Sequence, residues 1–398
     1  MKQILFLTLT MLLMVVPSAK GMNWMERLPD DTFVSVLSIP GAHDAATGSG
    51  WSSMGILGNR YAKTQELTIG ELWTAGVRAF DFRPCVYPDF MNINHGIMPT
   101  NLHFEDVLCQ LRDSLVANPS EFVIIHLLHA TEGDQVENVY NNRLLEVLGR
   151  DDLKDYFINF RRNLTVGNMR GKILLLSRDK YASKPIGGFF QDWVGYVDWA
   201  RQSAAKIVGN GTTSNFTATL WVQDFSDTHG DGALDLKVEA INKMLTESTT
   251  HKTRYASQVR WVFNFASGYS KVESLLGNEI SLADGYRDNA VRTHAAILDF
   301  LQTHDAGPTG VILMDFSGVD ASNGYAVKGL ELVNALIDNN FQYIDPVPTG
   351  IHQVSNGKVE KNQEVVYDLQ GRRQKTLRHG TINVVRKGDG TIKKVLVN

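Results

Sequence analysis

Seven short apolar runs recur along the chain: "TFVSVLSI", "VRAFDF", "FVIIHLLH", "KILLLS", "TLWVQDF", "RWVFNF" and "GVILMDF". Each is nearly continuous, as strands covered on both faces are. Between them lie amphipathic segments of helical period, "TIGELWTAG", "FEDVLCQLRDSLVAN", "QVENVYNNRLLEVLG", "LDLKVEAINKML", "RTHAAILDFLQTH" and "AVKGLELVNALIDNN". Asn118-Pro119 and Gly149 are suitable helix stops. Strand and helix alternating over roughly 300 residues predict an α/β fold with parallel strands, which a barrel closes most simply.

Polar groups gather where these runs finish: His43 and Asp44, Asp81 and Arg83, His129, Arg178, Asp224, Asn264 and Asp315. In a (β/α) barrel the carboxyl ends of all strands share one face, and that face carries the chemistry. A doubly wound open sheet brings together only the strands at its switch point. So many buried-type carboxylates and arginines at successive strand ends favour the barrel.

The ends of the chain differ from its middle. "MKQILFLTLTMLLMVVPSAKG" has a Lys2 n-region, an apolar core from Ile4 to Val16 and small residues after it, so residues 1–21 read as a secretory signal peptide. The expected location is outside the inner membrane, periplasmic or extracellular. The barrel is expected over 22–347. Residues 348–398 are basic where the rest is acidic, and short strand-like runs around a "GDG" turn predict a small β appendage. That tail resembles the C-terminal sorting-type tails of bacterial secreted proteins. Cys85 and Cys109 are compatible with a disulfide or with two separate thiols. The net charge of −4, with no long basic run, excludes nucleic acid as the main partner.

His43 beside Asp44 suits a catalytic pair, a metal site or a decorated turn. His95, in "MNINHGIM", adds a second imidazole, and Arg83 lies between them in sequence. Two imidazoles and an arginine suit cleavage of a phosphodiester by a neighbouring hydroxyl. One histidine removes the hydroxyl proton and the other protonates the leaving oxygen. The arginine meets the charge that builds on the phosphoryl oxygens. Asp315 is the candidate to orient the base.

The blocks "SIPGAHDAATG", "GVRAFDFRPCV", "NINHGIM", "NPSEFVIIHL", "MRGKILLLSR" and "WVQDF" follow one order from about residue 30 to 320. In that order they resemble the bacterial phosphatidylinositol-specific phospholipases C, the X-type catalytic domain. The resemblance implies a distorted TIM-type barrel and attack of the inositol 2-hydroxyl on phosphorus. The products would be diacylglycerol and inositol 1,2-cyclic phosphate. Carried over by motif, the base falls on His43 and its orienting carboxylate on Asp315. The phosphate clamp falls on Arg83, the acid on His95, and the carboxylate after the base on Asp44. Headgroup positions fall on Arg178 and Asp224, with Asp81 and His129 as further substrate-binding candidates. Two departures bear on selectivity: Leu128 and His129 stand where relatives carry basic residues, and Ser226 stands where they carry a tyrosine.

A guanidinium at position 83 supplies positive charge where calcium-binding relatives hold a cation through several oxygens, so metal-independent catalysis without a cofactor is expected. "DTHGDGALD", residues 227–235, lacks the closing Glu of an EF-hand loop and reads as a solvated loop. "GWSSMGILG", residues 50–58, follows the His43 block, and Trp51, Ile56 and Leu57 either enter a lipid interface or pack on a neighbouring helix. The expected partner is a phosphoinositide lipid at a membrane surface, met by a monomer. A metal-dependent glycerophosphodiester phosphodiesterase and a non-catalytic lipid-binding barrel are the competing readings.

Overall fold

Nine strands close into a barrel in the order in which the chain supplies them. They are β1 (Ser38–Ala42), β2 (Ala79–Phe82), β3 (Val123–Leu127), β4 (Ile173–Ser177), β5 (Gly188–Gln191), β6 (Lys206–Gly209), β7 (Thr217–Gln223), β8 (Arg260–Phe265) and β9 (Gly310–Met314). This computed structural model describes residues 22–194, 205–251, 258–275 and 277–345, and, in the tail, 365–367, 373–374, 382–386 and 392–396. The expected signal peptide, 1–21, lies outside the described residues.

Six of the seven apolar runs hold a barrel strand, and the first gives only Ser38 and Ile39 to β1 after a 3-10 turn at Val34–Val36; the α/β barrel expected from them is the fold observed. Two strands escape sequence reading, because "GFFQ" and "KIVG" are too short to give a period. They also distort the barrel: β6 runs antiparallel to both β5 and β7, while the other neighbours pair in parallel. Residues 210–216 between β6 and β7 are fewer than the roughly a dozen that a parallel crossover needs.

Among the described residues eight α-helices accompany the strands: α1 (Gly55–Tyr61), α2 (Ile69–Ala75), α3 (Phe104–Ala117), α4 (Tyr140–Leu148), α5 (Val166–Met169), α6 (Ala233–Thr250), α7 (Ala283–Thr303) and α8 (Gly329–Tyr343). Their buried residues fall at helical spacing, as in Phe104, Val107, Leu108, Leu111 and Leu115 of α3. α8 packs on β1, where the Asn340 side chain accepts from Ser38 N at 2.8 Å and donates to Ser38 O at 2.8 Å. That pins the start of the strand whose other end carries His43.

Outside the barrel, Pro84–Val86, Met91–His95 and Met98–His103 form an antiparallel sheet after β2. His95 is the last residue of its middle strand, so it reaches the barrel mouth from this excursion. The tail, Pro346–Asn398, is a separate compact unit containing a four-stranded antiparallel sheet. Cys85 and Cys109 are both free thiols, which settles the alternative left open by their spacing. Among the described residues no helix is long and apolar enough to cross a membrane.

Candidate active site

The site begins where β1 and β9 end. Their register pairs Ala42 with Met314, so His43 and Asp315 leave the barrel side by side. A side chain at Gly41 would meet Leu313 at 2.7 Å and Ile312 O at 3.0 Å, so the close approach of these strands needs glycine there. Both chains then turn sharply, with Asp44 (φ 42°) and Phe316 (φ 51°) in the left-handed region that such residues rarely occupy. A brace holds the corner. Gln65 Nε2 donates to His43 O at 2.8 Å and Met314 O at 2.9 Å, and its Oε1 accepts from Ser317 N at 2.9 Å. The small residues of "AATGS" allow the chain to fold back here, and a side chain on Gly48 would overlap the Leu67 backbone.

The nearest group to each ring nitrogen of His43 is of a defined kind. Arg83 Nη2 has only protons to offer and lies 2.7 Å from Nε2, so Nε2 accepts. Nδ1 therefore carries the proton and donates to Asp315 Oδ1 at 2.7 Å, while Asp315 Oδ2 accepts from Gly268 N at 3.2 Å. Burial pulls the His43 imidazole down, but Asp44 and Asp315 outweigh it and hold it above its ordinary value.

Asp44 sits between the two histidines, its Oδ2 3.3 Å from His43 Nε2 and 3.5 Å from His95 Nε2. Its Oδ1 pairs with Arg83 Nε at 2.9 Å. His95 donates from Nδ1 to Ala62 O at 2.7 Å, which leaves Nε2 facing Asp44 and, at 3.4 Å, the Tyr286 hydroxyl. Burial, aided by Arg83 and His43, pulls His95 below its ordinary value against the attraction of Asp44. The side chains of Arg83, His95 and His43 keep 21%, 14% and 9% exposure, whereas Asp44, Asp81 and Asp315 keep 2% or less. A ligand thus meets the cationic and imidazole groups, with the carboxylates behind them.

Asp81 lies beneath Arg83. Its Oδ2 takes Arg83 Nη2 at 3.2 Å and Asp44 N at 3.3 Å, and its Oδ1 takes His126 Nδ1 at 2.7 Å. Burial pushes its carboxyl up, but Arg83, His126 and His43 together hold it well below the usual carboxylate range. His43, Asp44 and Asp81 also offer three ligand atoms within 4.8 Å of one another, a possible metal cradle. The Arg83 guanidinium stands within 3.2 Å of all three side chains, so the positive charge that such a cradle wants is already supplied by the chain. The donor set therefore suits Arg83 better than a cation.

The outer candidates divide. Arg178 and Asp224 meet at 3.3 Å, with the Arg178 guanidinium 4.0 Å over the ring of Trp193 and Trp193 Nε1 donating to Asp224 Oδ2 at 3.2 Å. Trp193 leads back to the centre through His126 and Phe265, ring to ring at 5.4 and 5.7 Å, and Phe265 in turn meets His43 at 6.3 Å. His129 goes elsewhere: it is held by Asp134 at 2.7 Å and stacked on Tyr140 at 3.6 Å, and among the described contacts none joins it to the cluster. The histidine that does join it is His126, three residues earlier and within β3 itself. Asn264 is buried in the wall, bonded to Gln223 and Ile241 O. At the rim, Ile56 is 86% and Leu57 44% exposed on α1, whereas the Trp51 ring packs against Gly58 with its N–H on Asn59.

Gln65, His126, Trp193 and Tyr286 are the members that sequence reasoning missed. Only His126 left a signal: in "VIIHL" it alternates with Ile124 and is in register with Asp81 across the β2–β3 pair.

Fold and site together define a distorted (β/α) barrel with a His–Asp–Arg–His cluster at the carboxyl ends of its strands. No protein-family model matches the chain. It is 32% identical over 173 residues to a 1-phosphatidylinositol phosphodiesterase of Listeria monocytogenes, a match spanning 41% of this chain and half of that relative. It is 24% identical over 333 residues to the protein of that name from Staphylococcus aureus, spanning 80% of this chain and 94% of the relative. A crystal structure of the S. aureus phosphatidylinositol-specific phospholipase C matches the fold with a TM-score of 0.63 and 20% identity, covering 81% of this chain and 98% of that one. The L. monocytogenes enzyme matches with a TM-score of 0.55 and 22% identity, covering 80% and 98%. The family resemblance carried by the sequence blocks is therefore borne out: the chain is similar to bacterial phosphatidylinositol-specific phospholipases C over most of its length.

Proposed function

We propose that this protein is an exported phosphoinositide lyase that cleaves phosphatidylinositol, or a glycosylated derivative of it, at a membrane surface. The supporting observation is the pair of commitments at His43: Nδ1–H to Asp315 and a lone pair at Nε2 facing Arg83. A bound phosphate draws the Arg83 donors onto its oxygens and frees Nε2. His43 then removes the proton of the inositol 2-hydroxyl, whose oxygen attacks phosphorus. The bond from phosphorus to the glycerol oxygen breaks, and His95 Nε2 supplies the proton that diacylglycerol leaves with. Inositol 1,2-cyclic phosphate stays behind. Arg83 and Asp44 bracket the phosphoryl group, Arg83 meeting its charge and Asp44 steering the proton of His95. No metal or cofactor enters this scheme.

Arg178, Asp224 and Trp193 are proposed to hold the inositol ring, with Trp193 giving the aromatic face that Ser226 lacks. Ile56 and Leu57 on α1 are proposed to enter the lipid interface, and Trp51 to brace that helix from behind. The domain limits follow the same reading: a leader to residue 21, a barrel to 347 and a separate tail.

The metal-dependent phosphodiesterase reading draws on the His43, Asp44 and Asp81 cradle. One experiment separates the two. Phosphatidylinositol vesicles are incubated with the protein in excess EDTA and phosphorus NMR follows the cyclic product, with His43→Ala alongside. Cyclic product from the unaltered protein alone is expected; turnover only after a divalent cation is restored would favour the metal enzyme.

A further inference from the structure

His126 is an expensive choice for its position. Its side chain is 2% exposed and surrounded by the rings of Phe190, Trp193, Phe263 and Phe265, at centroid distances of 5.7, 5.4, 6.5 and 5.7 Å. Nε2 is buried there without a hydrogen-bond partner among the described residues. An unmatched buried polar atom of this kind is destabilising, and an apolar side chain of similar size would avoid the cost. What the imidazole supplies is one bond, from Nδ1 to Asp81 Oδ1 at 2.7 Å. Asp81 is held as a carboxylate by its other neighbours, so Nδ1 must be the donor.

That bond fixes which way the Asp81 carboxylate faces. With Oδ1 tied to His126, Oδ2 is left for Arg83 Nη2 and for the backbone N–H of Asp44. The guanidinium is gripped on two sides, by Asp81 at Nη2 and by Asp44 at Nε, and Asp44 owes part of its left-handed turn to the same Asp81 oxygen. Released from His126, Asp81 can rotate about its last torsion, and the grip on Nη2 goes with it.

We infer that His126 is a positioning residue, which acts through Asp81 to hold the Arg83 guanidinium in the orientation that meets a bound phosphate. The inference deepens the phosphodiesterase reading above and rests on it for its kinetic consequence, but not for its geometry.

The test compares His126→Leu, which removes the donor, with His126→Asn, whose Nδ2 places a donor close to where Nδ1 stands. The first readout is turnover of a water-soluble, short-chain phosphatidylinositol. His126→Leu should lower kcat by about tenfold to a hundredfold with a smaller change in KM, and His126→Asn should restore most of it. The second readout needs no turnover. In protein labelled with ¹⁵N-arginine, the Arg83 guanidinium protons, assigned by their loss in Arg83→Lys, should be distinct in the unaltered protein and in His126→Asn. They should merge through free rotation in His126→Leu. Unchanged Arg83 signals in a folded His126→Leu protein would overturn the inference, as would His126→Asn behaving like His126→Leu. If the unaltered protein turns over no inositol lipid, the functional reading fails and the Arg83 spectra alone decide the role of His126. Should His126→Leu not fold, His126→Met, flexible enough to fill the aromatic box, takes its place in both readouts.

Discussion

At the residue scale, the two histidines are pushed in opposite directions. Asp44 and Asp315 hold His43 above its ordinary value despite burial, and burial with Arg83 and His43 holds His95 below it. The proposed reaction needs His43 unprotonated at Nε2 and His95 protonated there, so the productive state is the minor arrangement of a singly protonated pair. Above the upper pKa the pair loses its proton, and below the lower one it gains a second. A bell-shaped profile of kcat/KM against pH is therefore expected, its acid limb below about 6.5 and its alkaline limb above it. Replacing Asp315 by Asn removes the charge that raises His43 and the acceptor that fixes its tautomer. In Asp315→Asn the alkaline limb should move to lower pH and kcat should fall by about 10³-fold or more, the magnitude known for loss of such an orienting carboxylate. A profile that keeps its alkaline limb in Asp315→Asn would place that limb on another group.

At the element scale, α1 and α2 were unequally legible. "TIGELWTAG" carries its own start signal, and the structure shows the reciprocal cap: Glu71 N donates to Thr68 Oγ1, and Thr68 N donates to Glu71 Oε2. Thr68→Ala should cost about 1 kcal/mol, read as a lower urea midpoint with an unchanged slope. "GWSSMGILG" carries no such signal, and its sequence leaves open whether Trp51, Ile56 and Leu57 enter a lipid interface or pack on a neighbouring helix. Its last residues form α1, and the roles within it separate only in three dimensions: Trp51 faces inward onto Gly58, while Ile56 and Leu57 face out. An Ile56→Ser, Leu57→Ser double variant should bind vesicles at least about tenfold more weakly, since each buried aliphatic side chain contributes roughly 1.5–3 kcal/mol when fully inserted. Turnover of the soluble substrate should be unchanged. An equal loss in both assays would remove α1 from the membrane-contact reading.

At the scale of the whole molecule, the barrel keeps its chemistry and part of its stability at opposite ends. At the amino ends of β2 and β3, Arg78 and Glu121 form a fully buried pair at 2.9 Å, with Arg78 also donating to Trp73 O and Val77 O and lying 3.9 Å over the Trp73 ring. Removing one partner strands the other charge in the core, so Arg78→Ala should destabilise by about 3–5 kcal/mol. The remaining folded protein should keep its kcat, because the His43 cluster lies at the other end of the same strands. Denaturant melts and turnover measured on one preparation check both parts.

Strand and helix order, and so the barrel, were written locally: each apolar run had to be buried on both faces, and each amphipathic stretch had to cover it. The ordered blocks around His43, Arg83 and His95, with Asp315 at the end of "GVILMDF", likewise marked the residues that meet at the centre. Other features depended on partners far away in the chain. The strands Gly188–Gln191 and Lys206–Gly209 exist because the ring had a gap that only neighbouring strands could pair across. His129 and His126 are equally histidine in the sequence, and the register of β2 against β3 alone sends His126 to Asp81 and leaves His129 with Asp134 and Tyr140. Periodicity is a property of neighbours along the chain, whereas a hydrogen bond between strands depends on register, and register is set only when the barrel closes.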